Sequence, residues 1–529
     1  MFHRICSLGV TSVLAAAGMV APLSEANAAT SLLTHLTLPA FSSTVYTGCP
    51  LPPASTVSSS GLASGQVFYV DPVHGSMSGD GSKARPWHTL AEVVNNGLFA
   101  NMPSHWDNTL MKMVNRNPNA PIKPGATIYL LSGNHGKVLI QGTYGTTLTG
   151  YDNPQFITIA ALPGQTPVLT QLAVLGGNKW AFRGLTIQGI NTTGKFMTSY
   201  NGVYNDYWLV AFTGPHNNII FDGNHLLSQA DTSAWSISDW QQKRASGIED
   251  IQGSCIAITN NTLKNVGFAI TSQRSNQVLI SGNSIDHFSD DGIDWGNNNT
   301  TIQNNTITNS VEDGDAFHRD GMQGSPYDTT KALSNIVISG NTVIRVTDPA
   351  LKYPGALQGI SEFDGIWKSV RVTNNVVITD QPQGIAFFGV SQLTLSSNIL
   401  LGDSGKVLPC YNLNLTQCQA KSIVYDTSMT PTLNVGASKV NAPSVNVLIS
   451  GNWVSGLTDD KTNQVVTMTQ NKCIATTQGK CVVAMPINGV MTWTATPGTY
   501  NGITILPTTP AQFFKVFDPV NMIYDLRPH

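Results

Sequence analysis

Apolar and polar residues alternate in short stretches along this chain, and each stretch ends in two small polar residues, an asparagine and an apolar pair. The asparagines of this phrase are Asn224, Asn261, Asn283, Asn305, Asn341, Asn375, Asn398 and Asn452. The shortest steps between them are 22 and 23 residues, and the longer steps contain insertions. A period of two predicts β-strands, and a repeat of this length is typical of a solenoid.

A single strand-only repeat cannot bury its apolar face, so successive repeats must stack on one another. The sequence therefore predicts an all-β fold, a right-handed parallel β-helix, over residues 65–455 as one elongated domain. The repeated asparagine would occupy the same corner of every coil. Its amide would bond to the equivalent amide one coil away, which would make an asparagine ladder.

The N-terminal residues 1–28 have the pattern of a signal peptide. His3 and Arg4 precede an apolar stretch over residues 5–23, and small residues around Ala28 provide a cleavage site. We expect a secreted or periplasmic protein with no stable membrane insertion after cleavage. The alternative is an uncleaved anchor, because the apolar stretch approaches the length of a membrane span.

Two further segments flank the predicted solenoid. Residues 29–64 form a lead-in rich in Ser, Thr and Pro, and residues 456–529 form a C-terminal capping segment or tail. Only 11% of the 529 residues are charged, and 48 are glycine, which suits stacked coils with tight corners. The net charge of -3 argues against nucleic acid as the main partner, because phosphate binding needs a basic surface.

The cysteines suggest two disulfides. Cys410 with Cys418, and Cys473 with Cys481, have the same eight-residue separation, although spacing alone does not fix connectivity. Cys255 lies within a strand pattern, and we interpret it as a buried apolar filler. No cysteine has the spacing of a zinc site.

A second repeated phrase carries the polar surface. It begins with a glycine, followed by a residue that points into the core and then one that points outward. The outward column is Glu249, Ala269, Asp294, Gln323, Ser361 and Ala386. The residues before each glycine form a parallel column of Ser246, Val266, Asp291, Asp320, Gln358 and Gln383.

The polarity of both columns peaks in two central coils and fades on either side. Neighbouring coils lie about 4.8 Å apart, so residues one coil apart in a column are direct neighbours. We predict that Asp291, Asp294, His318 and Asp320 are catalytic. Residues predicted to bind substrate are Glu249, Asp290, Arg319, Gln323 and Glu362.

Structural roles compete with these assignments. Asp290 and Asp291 precede a glycine and are common turn formers. His318 would also fit an ordinary loop, and Glu362 a solvated edge.

Two chemistries suit such a cluster, because close carboxyls raise one another's pKa and can divide into acid and base. In a hydrolase, one aspartate would protonate the glycosidic oxygen and another would activate water or attack the sugar. In a lyase, the aspartates, with Ca²⁺ as a candidate cofactor, would neutralise a uronic-acid carboxylate while His318 or another base removes the C5 proton. We assign no residue as a dedicated metal ligand.

The segment FYVDP…GDGSKARPWHTL, followed by PGATIYLLSG, resembles the opening of secreted β-helix proteins of the pectate-lyase-like superfamily. The ending FFKVFDPVNMIYDLRPH is similar to their closing segment. The resemblance implies a short N-terminal helix, starting near Pro86, that caps the first coil. It does not imply one function, because this fold hosts lyases, hydrolases, epimerases and adhesins.

The short motifs of the cluster resemble known ones only in part. Ser289-Asp290-Asp291-Gly292 is loosely similar to the paired aspartates of polygalacturonase-type hydrolases, whose other motifs are missing. The sequence from His318 to Gln323 resembles His-x-Asp-Gly-x-Gln stretches of lyase-like β-helix proteins. The sequence thus favours an exported lyase acting on an acidic polysaccharide. A glycoside hydrolase and a non-catalytic carbohydrate-binding or cell-surface protein remain alternatives.

Overall fold

A computed structural model describes residues 46, 48–50, 66–141, 153–191, 207–314, 318–348, 350–402 and 431–454, and a set of strands beyond 454. The chain is built almost entirely of strands, with two short helices, α1 (Leu90–Asn95) and α2 (Ile237–Lys243), among the described residues.

The strands in the first half of the chain are β1 (Val67–Val70), β2 (Pro103–Asp107), β3 (Lys112–Asn115), β4 (Thr127–Leu130), β5 (Gly133–Gln141), β6 (Ile157–Ala161), β7 (Pro167–Arg183), β8 (Thr186–Gln188), β9 (Trp208–Asp222), β10 (His225–Leu227), β11 (Ser246–Ile251), β12 (Gly253–Thr259), β13 (Thr262–Val266), β14 (Ile270–Ser281), β15 (Ser284–Phe288), β16 (Ile293–Gln303), β17 (Thr306–Ser310) and β18 (Asp320–Gly324). The later strands are β19 (Ala332–Ser339), β20 (Thr342–Ile344), β21 (Gln358–Glu362), β22 (Ile366–Thr373), β23 (Val376–Thr379), β24 (Gln383–Phe388), β25 (Val390–Ser396), β26 (Ile399–Gly402), β27 (Thr432–Gly436), β28 (Val445–Ser450), β29 (Trp453–Val454), β30 (Gly456–Asp459), β31 (Gln464–Thr469), β32 (Asn471–Ile474), β33 (Val482–Ala484), β34 (Pro486–Ile487), β35 (Val490–Met491), β36 (Gly498–Tyr500), β37 (Ile503–Leu506), β38 (Phe517–Asp518) and β39 (Ile523–Tyr524).

Parallel pairing arranges most of these strands in three ladders, which are the faces of a β-helix. The first face includes β9, β11, β14, β16, β18, β21, β24 and β27. The second includes β12, β14, β16, β19, β22, β25 and β28. The third includes β10, β13, β15, β17, β20, β23 and β26. Strands β14 and β16 each bend from the first face into the second, so each contributes residues to both faces.

The predicted asparagine ladder is present and determines how the coils stack. From Asn261 onward, each ladder asparagine accepts bonds at Oδ1 from the backbone N–H and the side-chain amide of the asparagine one coil earlier. Asn305 Oδ1, for example, accepts from Asn283 N and Nδ2 at 2.9 Å each. Asn305 Nδ2 in turn donates to Asn341 Oδ1 at 2.9 Å and to Ile280 O at 3.0 Å. The ladder runs through all eight asparagines of the repeat and continues to Asn471.

Glycines of the second repeated phrase are required by close packing between coils. A Cβ atom on Gly247, Gly292 or Gly359 would collide with the backbone carbonyl of the next coil, at Ala269, Gly321 and Gly384 respectively. Backbone atoms cannot move aside as a flexible side chain can. At these positions, therefore, only glycine allows successive coils of the first face to pack this closely.

The interior is one continuous apolar core built from the inward positions of all three faces. Helix α1 joins this core through Leu90, Val93 and Val94. The helix begins with a capping box in which Thr89 and Glu92 bond to each other's backbone N–H groups. The short N-terminal helix of the sequence prediction therefore exists, at residues just beyond Pro86.

The interpretation of Cys255 as an apolar filler is wrong. Cys255 forms a disulfide with Cys49, 206 residues earlier, so the lead-in is tied to β12 on the second face. Cys410, Cys418 and Cys481 lie outside the described residues, as does the side chain of Cys473, so the two predicted disulfides remain predictions.

The stack of strands extends past residue 455, where the sequence placed a change to a terminal segment. Strands β30 to β33 continue the three ladders, and β37 pairs with β32. The residues described beyond 510 form the antiparallel pair β38–β39, which belongs to a second compact unit. Of the helices described, none has the length and apolarity that a membrane span requires. The predicted signal peptide lies outside the described residues.

We expect Asn305→Ala to lower the free energy of unfolding by about 1–3 kcal/mol, because it leaves buried N–H groups of Asn283 without an acceptor. Guanidinium unfolding followed by circular dichroism measures this change. Gln303→Ala, at a half-buried position on the neighbouring strand, is the control and should change little. Equal effects of the two substitutions would contradict a special role for the ladder.

Candidate active site

The strand register of the first face fixes which side chains become neighbours. In the structure, Glu249 pairs with Thr271, which pairs with Asp294, Gln323, Ser361, Ala386 and Asn434 in turn. We call this series the outward column. The series before the glycines, which we call the corner column, contains Trp208, Ser246, Phe268, Asp291, Asp320, Gln358 and Gln383.

In one coil, the sequence prediction placed both column positions two residues too early. Ala269 and Val266 were expected where the structure has Thr271 and Phe268. The reason is that Ile270, not Phe268, occupies the inward position of this coil. Phe268 instead packs against Tyr207 and Trp208 on the outside. The four coils from Asp294 to Ala386 are aligned as predicted.

Asp291, His318 and Asp320 form a contiguous cluster. Asp291 Oδ1 accepts a 2.8 Å hydrogen bond from the backbone N–H of Asp320. His318 Nδ1 lies 2.8 Å from Asp320 Oδ2, and Ser361 donates to Asp320 Oδ1 at 2.6 Å. Asp291 is 5% exposed and Asp320 is fully buried, whereas about half of the His318 side chain is exposed. His318 is therefore the member of the cluster that most readily meets a ligand from solvent.

Asp294 flanks this cluster on the outward column. Gln273 Nε2 donates to Asp294 Oδ2 at 3.2 Å and also contacts Ser325 Oγ at 3.2 Å. The residue is 8% exposed, and its buried Oδ1 atom has no hydrogen-bond partner among the residues that the structure describes. A buried carboxyl oxygen without a partner favours the protonated acid, which needs less solvation than the carboxylate.

The cluster strongly perturbs the acidity of its members. Burial raises the pKa of Asp294 to about 7, and the charge of Asp320 adds to the effect. Burial also raises the pKa of Asp291 well above its usual value, together with the charges of Asp320 and Asp294. The hydrogen bond to Asp320 raises the pKa of His318 in spite of partial burial. Near neutral pH the site therefore contains groups that can donate a proton beside groups that can accept one.

Three of the predicted substrate-binding residues lie below the surface. Asp290 and Arg319 are each 1% exposed and make buried ion pairs with Arg244, Glu312 and Asp313. Glu362 occupies an inward position between Gly324 and Phe387, where it packs beside Trp295, and burial raises its pKa well above the usual value. Side chains at these positions are better placed to support the site from below than to contact a polysaccharide on the surface.

Glu249 and Gln323 remain on the outward column, on either side of Asp294. Both are partly exposed. Burial, with a contribution from the charge of Asp250, raises the pKa of Glu249 to about 7. Glu249 and Gln323 are therefore accessible from solvent on this face.

A mostly buried aromatic cluster continues the face toward the N-terminus. Trp208 and Phe268 lie on the corner column with ring centroids 6.4 Å apart, and Tyr207 packs edge-on against Trp208. A cavity of about 290 Å³ opens beside Trp208 and is also lined by Lys137, Thr170 and Gln171. Tyr207 and Trp208 are 3% and 5% exposed and Phe268 is half-buried, so these rings pack into the wall of the face. The sequence analysis did not single these residues out.

The sequence analysis also missed Gln273 and Ser325, which hold Asp294. Gln273 lies two residues beyond Thr271 on the same strand, so the correct register would have placed it beside the outward column. Arg244 lies 46 residues from Asp290, and no local pattern connects the two.

The donor atoms of Asp291, His318 and Asp320 all lie within 4.8 Å of one another, which is close enough to hold a cation. Two carboxylates and an imidazole make a mixed oxygen and nitrogen set. Such a set suits a transition metal better than Ca²⁺, which prefers oxygen ligands only.

A family model described as a right handed beta helix region matches residues 246–434. The match confirms the right-handed parallel β-helix and with it the fold implied by the resemblance to pectate-lyase-like proteins. No curated protein matches the chain in sequence.

Several solved structures are similar in fold. The GH136 lacto-N-biosidase from Eubacterium ramulus is 12% identical with a TM-score of 0.40, and the match covers 84% of this chain and 68% of that one. Pectate lyase Pel9A is 14% identical with a TM-score of 0.32, covering 77% and 79% of the two chains. The A-module of the Azotobacter vinelandii mannuronan C-5 epimerase AlgE6 is 12% identical with a TM-score of 0.33, covering 72% and 90%. At these values the similarities carry no argument about activity.

We expect Asp294→Asn to become stabilising, relative to the unmodified protein, as the pH rises from 4 to 8. The pKa of Asp294 is higher in the folded state than its usual 3.8, so its favourable contribution is complete below pH 4 and is lost as the pH rises through about 7. Each unit of pKa is worth about 1.4 kcal/mol, so the difference should reach a few kcal/mol. Chemical unfolding at a series of pH values measures it.

Asp328→Asn is the control for this titration. Bonds to Thr330 and Lys331 lower the pKa of Asp328 to about 2, so its effect should stay constant between pH 4 and 8. A constant difference for Asp294→Asn over the same range would show that Asp294 is ionised throughout.

Proposed function

We propose that this protein is an exported enzyme that cleaves the glycosidic bonds of a polysaccharide. The observation that carries the proposal is the concentration of Asp291, Asp294, His318 and Asp320 on two neighbouring coils of one face, with raised pKa values for three of them. A binding protein would spread its contacts over many coils, whereas acid–base chemistry needs such groups in one place. Export rests on the signal-peptide pattern of residues 1–28.

Hydrolysis is the chemistry that the charges of the face favour. From Trp208 to Asn434, the positions that the structure describes in the two columns hold no lysine or arginine. A polyuronate would bring its own negative charges to these acidic columns. Arg274 and Lys439 act on Glu249 and His318 from outside the columns and would offset only part of that repulsion. A neutral glycan avoids that repulsion, so we place hydrolysis ahead of the lyase that the sequence favoured.

The geometry suggests a division of roles for hydrolysis. Asp294, protonated near neutral pH, would donate a proton to the glycosidic oxygen as the general acid. Asp320 is fully buried and bonded to Ser361 and His318, so it would orient His318 and support its basicity rather than contact the sugar. His318, about half exposed, would act as the base that activates the attacking water.

Elimination by a lyase is the second candidate, and the donor atoms of Asp291, His318 and Asp320 support it. A cation held by these groups would neutralise a uronic-acid carboxylate and remove the objection based on charge. This route predicts that activity depends on an added metal ion. Direct hydrolysis by Asp294 and His318 does not.

We expect Asp294→Asn, Asp320→Asn and His318→Ala each to lower kcat by about 10²–10⁴, because each removes a proton-transfer or orienting group. Reducing-end release from the polysaccharide that the unmodified enzyme cleaves measures the effect. Asp328→Asn removes an exposed carboxylate away from the cluster and should keep full activity. Full activity of all three site variants would place the reaction elsewhere.

A panel of neutral and acidic polysaccharides, tested with EDTA, Ca²⁺ or Mn²⁺, distinguishes the two chemistries. Hydrolysis releases reducing ends without ultraviolet absorbance, and we expect this result in EDTA on a neutral glycan. Absorbance that rises with reducing ends and needs metal would indicate a lyase. Binding without either signal on any substrate would favour a non-catalytic carbohydrate-binding protein.

A further inference from the structure

Five charged side chains form a buried network directly behind the candidate active site. Arg244 pairs with Asp290 at 2.9 Å and with Asp313 at 2.9 Å. Arg319 pairs with Asp313 at 2.5 Å and with Glu312 at 3.1 Å. All five side chains are at most 3% exposed, so water contributes little to their solvation. We call this set the Arg244–Arg319 network.

The network joins two backbone segments that carry the site. Asp290 immediately precedes Asp291, and Arg319 stands between His318 and Asp320. Asp313 bonds to both arginines and therefore links the segment at 290 to the segment at 319. A movement of either segment would change the distances within the cluster of Asp291, His318 and Asp320.

The described part of the segment from Glu312 to Arg319 has no strand to hold it in place. It belongs to the insertion between Asn305 and Asn341, and strand pairing resumes only at Asp320. Arg319 Nε donates to Val311 O at 2.7 Å, which ties the end of the segment back to its beginning. Backbone bonds hold its two ends, from Glu312 N to Tyr353 O and from Gln358 N to Arg319 O, each at 2.8 Å. The buried ion pairs add side-chain bonds at Glu312, Asp313 and Arg319.

The surrounding backbone leaves space for both arginines. A Cβ atom on Gly267 would lie 2.7 Å from Asp290 Oδ2 and 3.0 Å from Arg244 Nε. A Cβ atom on Gly355 would lie 3.1 Å from Arg319 Cδ. Glycine therefore stands at both places where a larger residue would displace the network.

Stability alone is a weak explanation for such a network. Desolvation of buried ions offsets much of their attraction, and apolar side chains of similar volume often stabilise a fold equally well. Guanidinium groups, in contrast, hold carboxylates in a defined geometry because their donors form a rigid planar fork.

We propose that the Arg244–Arg319 network is a positioning device, which holds Glu312, Asp313 and Arg319 against Asp290 and so fixes His318 and Asp320 relative to Asp291. The inference rests on the proposed function, since it assigns Arg244, Asp313 and Arg319 as positioning residues for that reaction. None of them needs to contact substrate.

The test is the charge-conserving substitution Arg319→Lys, studied by crystallography and steady-state kinetics of the full exported chain. A lysine keeps the positive charge but cannot contact Val311, Glu312 and Asp313 together. We expect His318 Nδ1 and Asp320 Oδ2 to separate beyond hydrogen-bond reach, about 3.5 Å, in the variant crystal. We expect kcat to fall about 10²-fold with KM nearly unchanged, because misplacement by about 1 Å has effects of this size.

Arg345→Lys is the matched control. Arg345 is a buried arginine that lies 3.7 Å from Asp380 and donates to Gly355 O, but it does not belong to the network. Its substitution should lower the unfolding temperature without moving His318 or changing kcat. An unchanged His318–Asp320 distance in Arg319→Lys, or equal displacement in both variants, would overturn the proposal.

Two further measurements keep the test decisive. If Arg319→Lys does not fold by circular dichroism, Asp313→Asn removes the bridging charge with little change of shape and should give the same displacement. The crystallographic distance needs no substrate, so it is separate from the proposed function. Displacement in a protein whose unmodified form cleaves no polysaccharide would support the clamp and reject the enzyme.

Discussion

The hydrogen bond between asparagine side chains of successive coils is the interaction on which the rest of this structure depends. Each amide accepts two bonds from the coil before it and donates to the coil after it, so the ladder permits one register only. A parallel stack shifted by one residue would turn its apolar side chains outward. Register in turn decides that Asp291 meets Asp320 and that Asp294 meets Gln323. The ladder at one corner therefore determines the chemistry of a face that it does not touch.

Burial raises the pKa of both Asp290 and Asp294, but the two carboxyls differ in their partners. Asp290 is compensated by Arg244, and the pair forms part of a rigid support. Asp294 has no cationic partner among its hydrogen bonds, so burial favours its protonated form. The same desolvation that would be costly for a structural carboxylate makes a proton donor available near neutral pH. The structural support and the candidate proton donor are thus both aspartates, and they differ in whether an arginine is paired with the carboxyl group.

Much of the fold and the core of the candidate site could be predicted from the sequence, because both follow from the period of the repeats. Counting residues along the repeats was enough to predict the ladder and the alignment of Asp291 with Asp320. The register at Thr271 could not be predicted, because Gly267-Phe268 imitates the repeated phrase two residues too early. The bond of Cys49 to Cys255 and the pairing of Arg244 with Asp290 join distant residues through the fold, and no local pattern reports such contacts. Glu362 was misplaced because an acidic residue at an inward position violates the rule used to place it.

The glycines that pack against carbonyls of the next coil divide the first face into two kinds of position. At Gly292 and Gly359 even a methyl group would force the coils apart, so no side-chain chemistry can be introduced there. The flanking positions of the two columns bear no such restriction. On this face, the two columns therefore present their side chains in two parallel lines across successive coils, an arrangement that matches an elongated ligand better than a compact one.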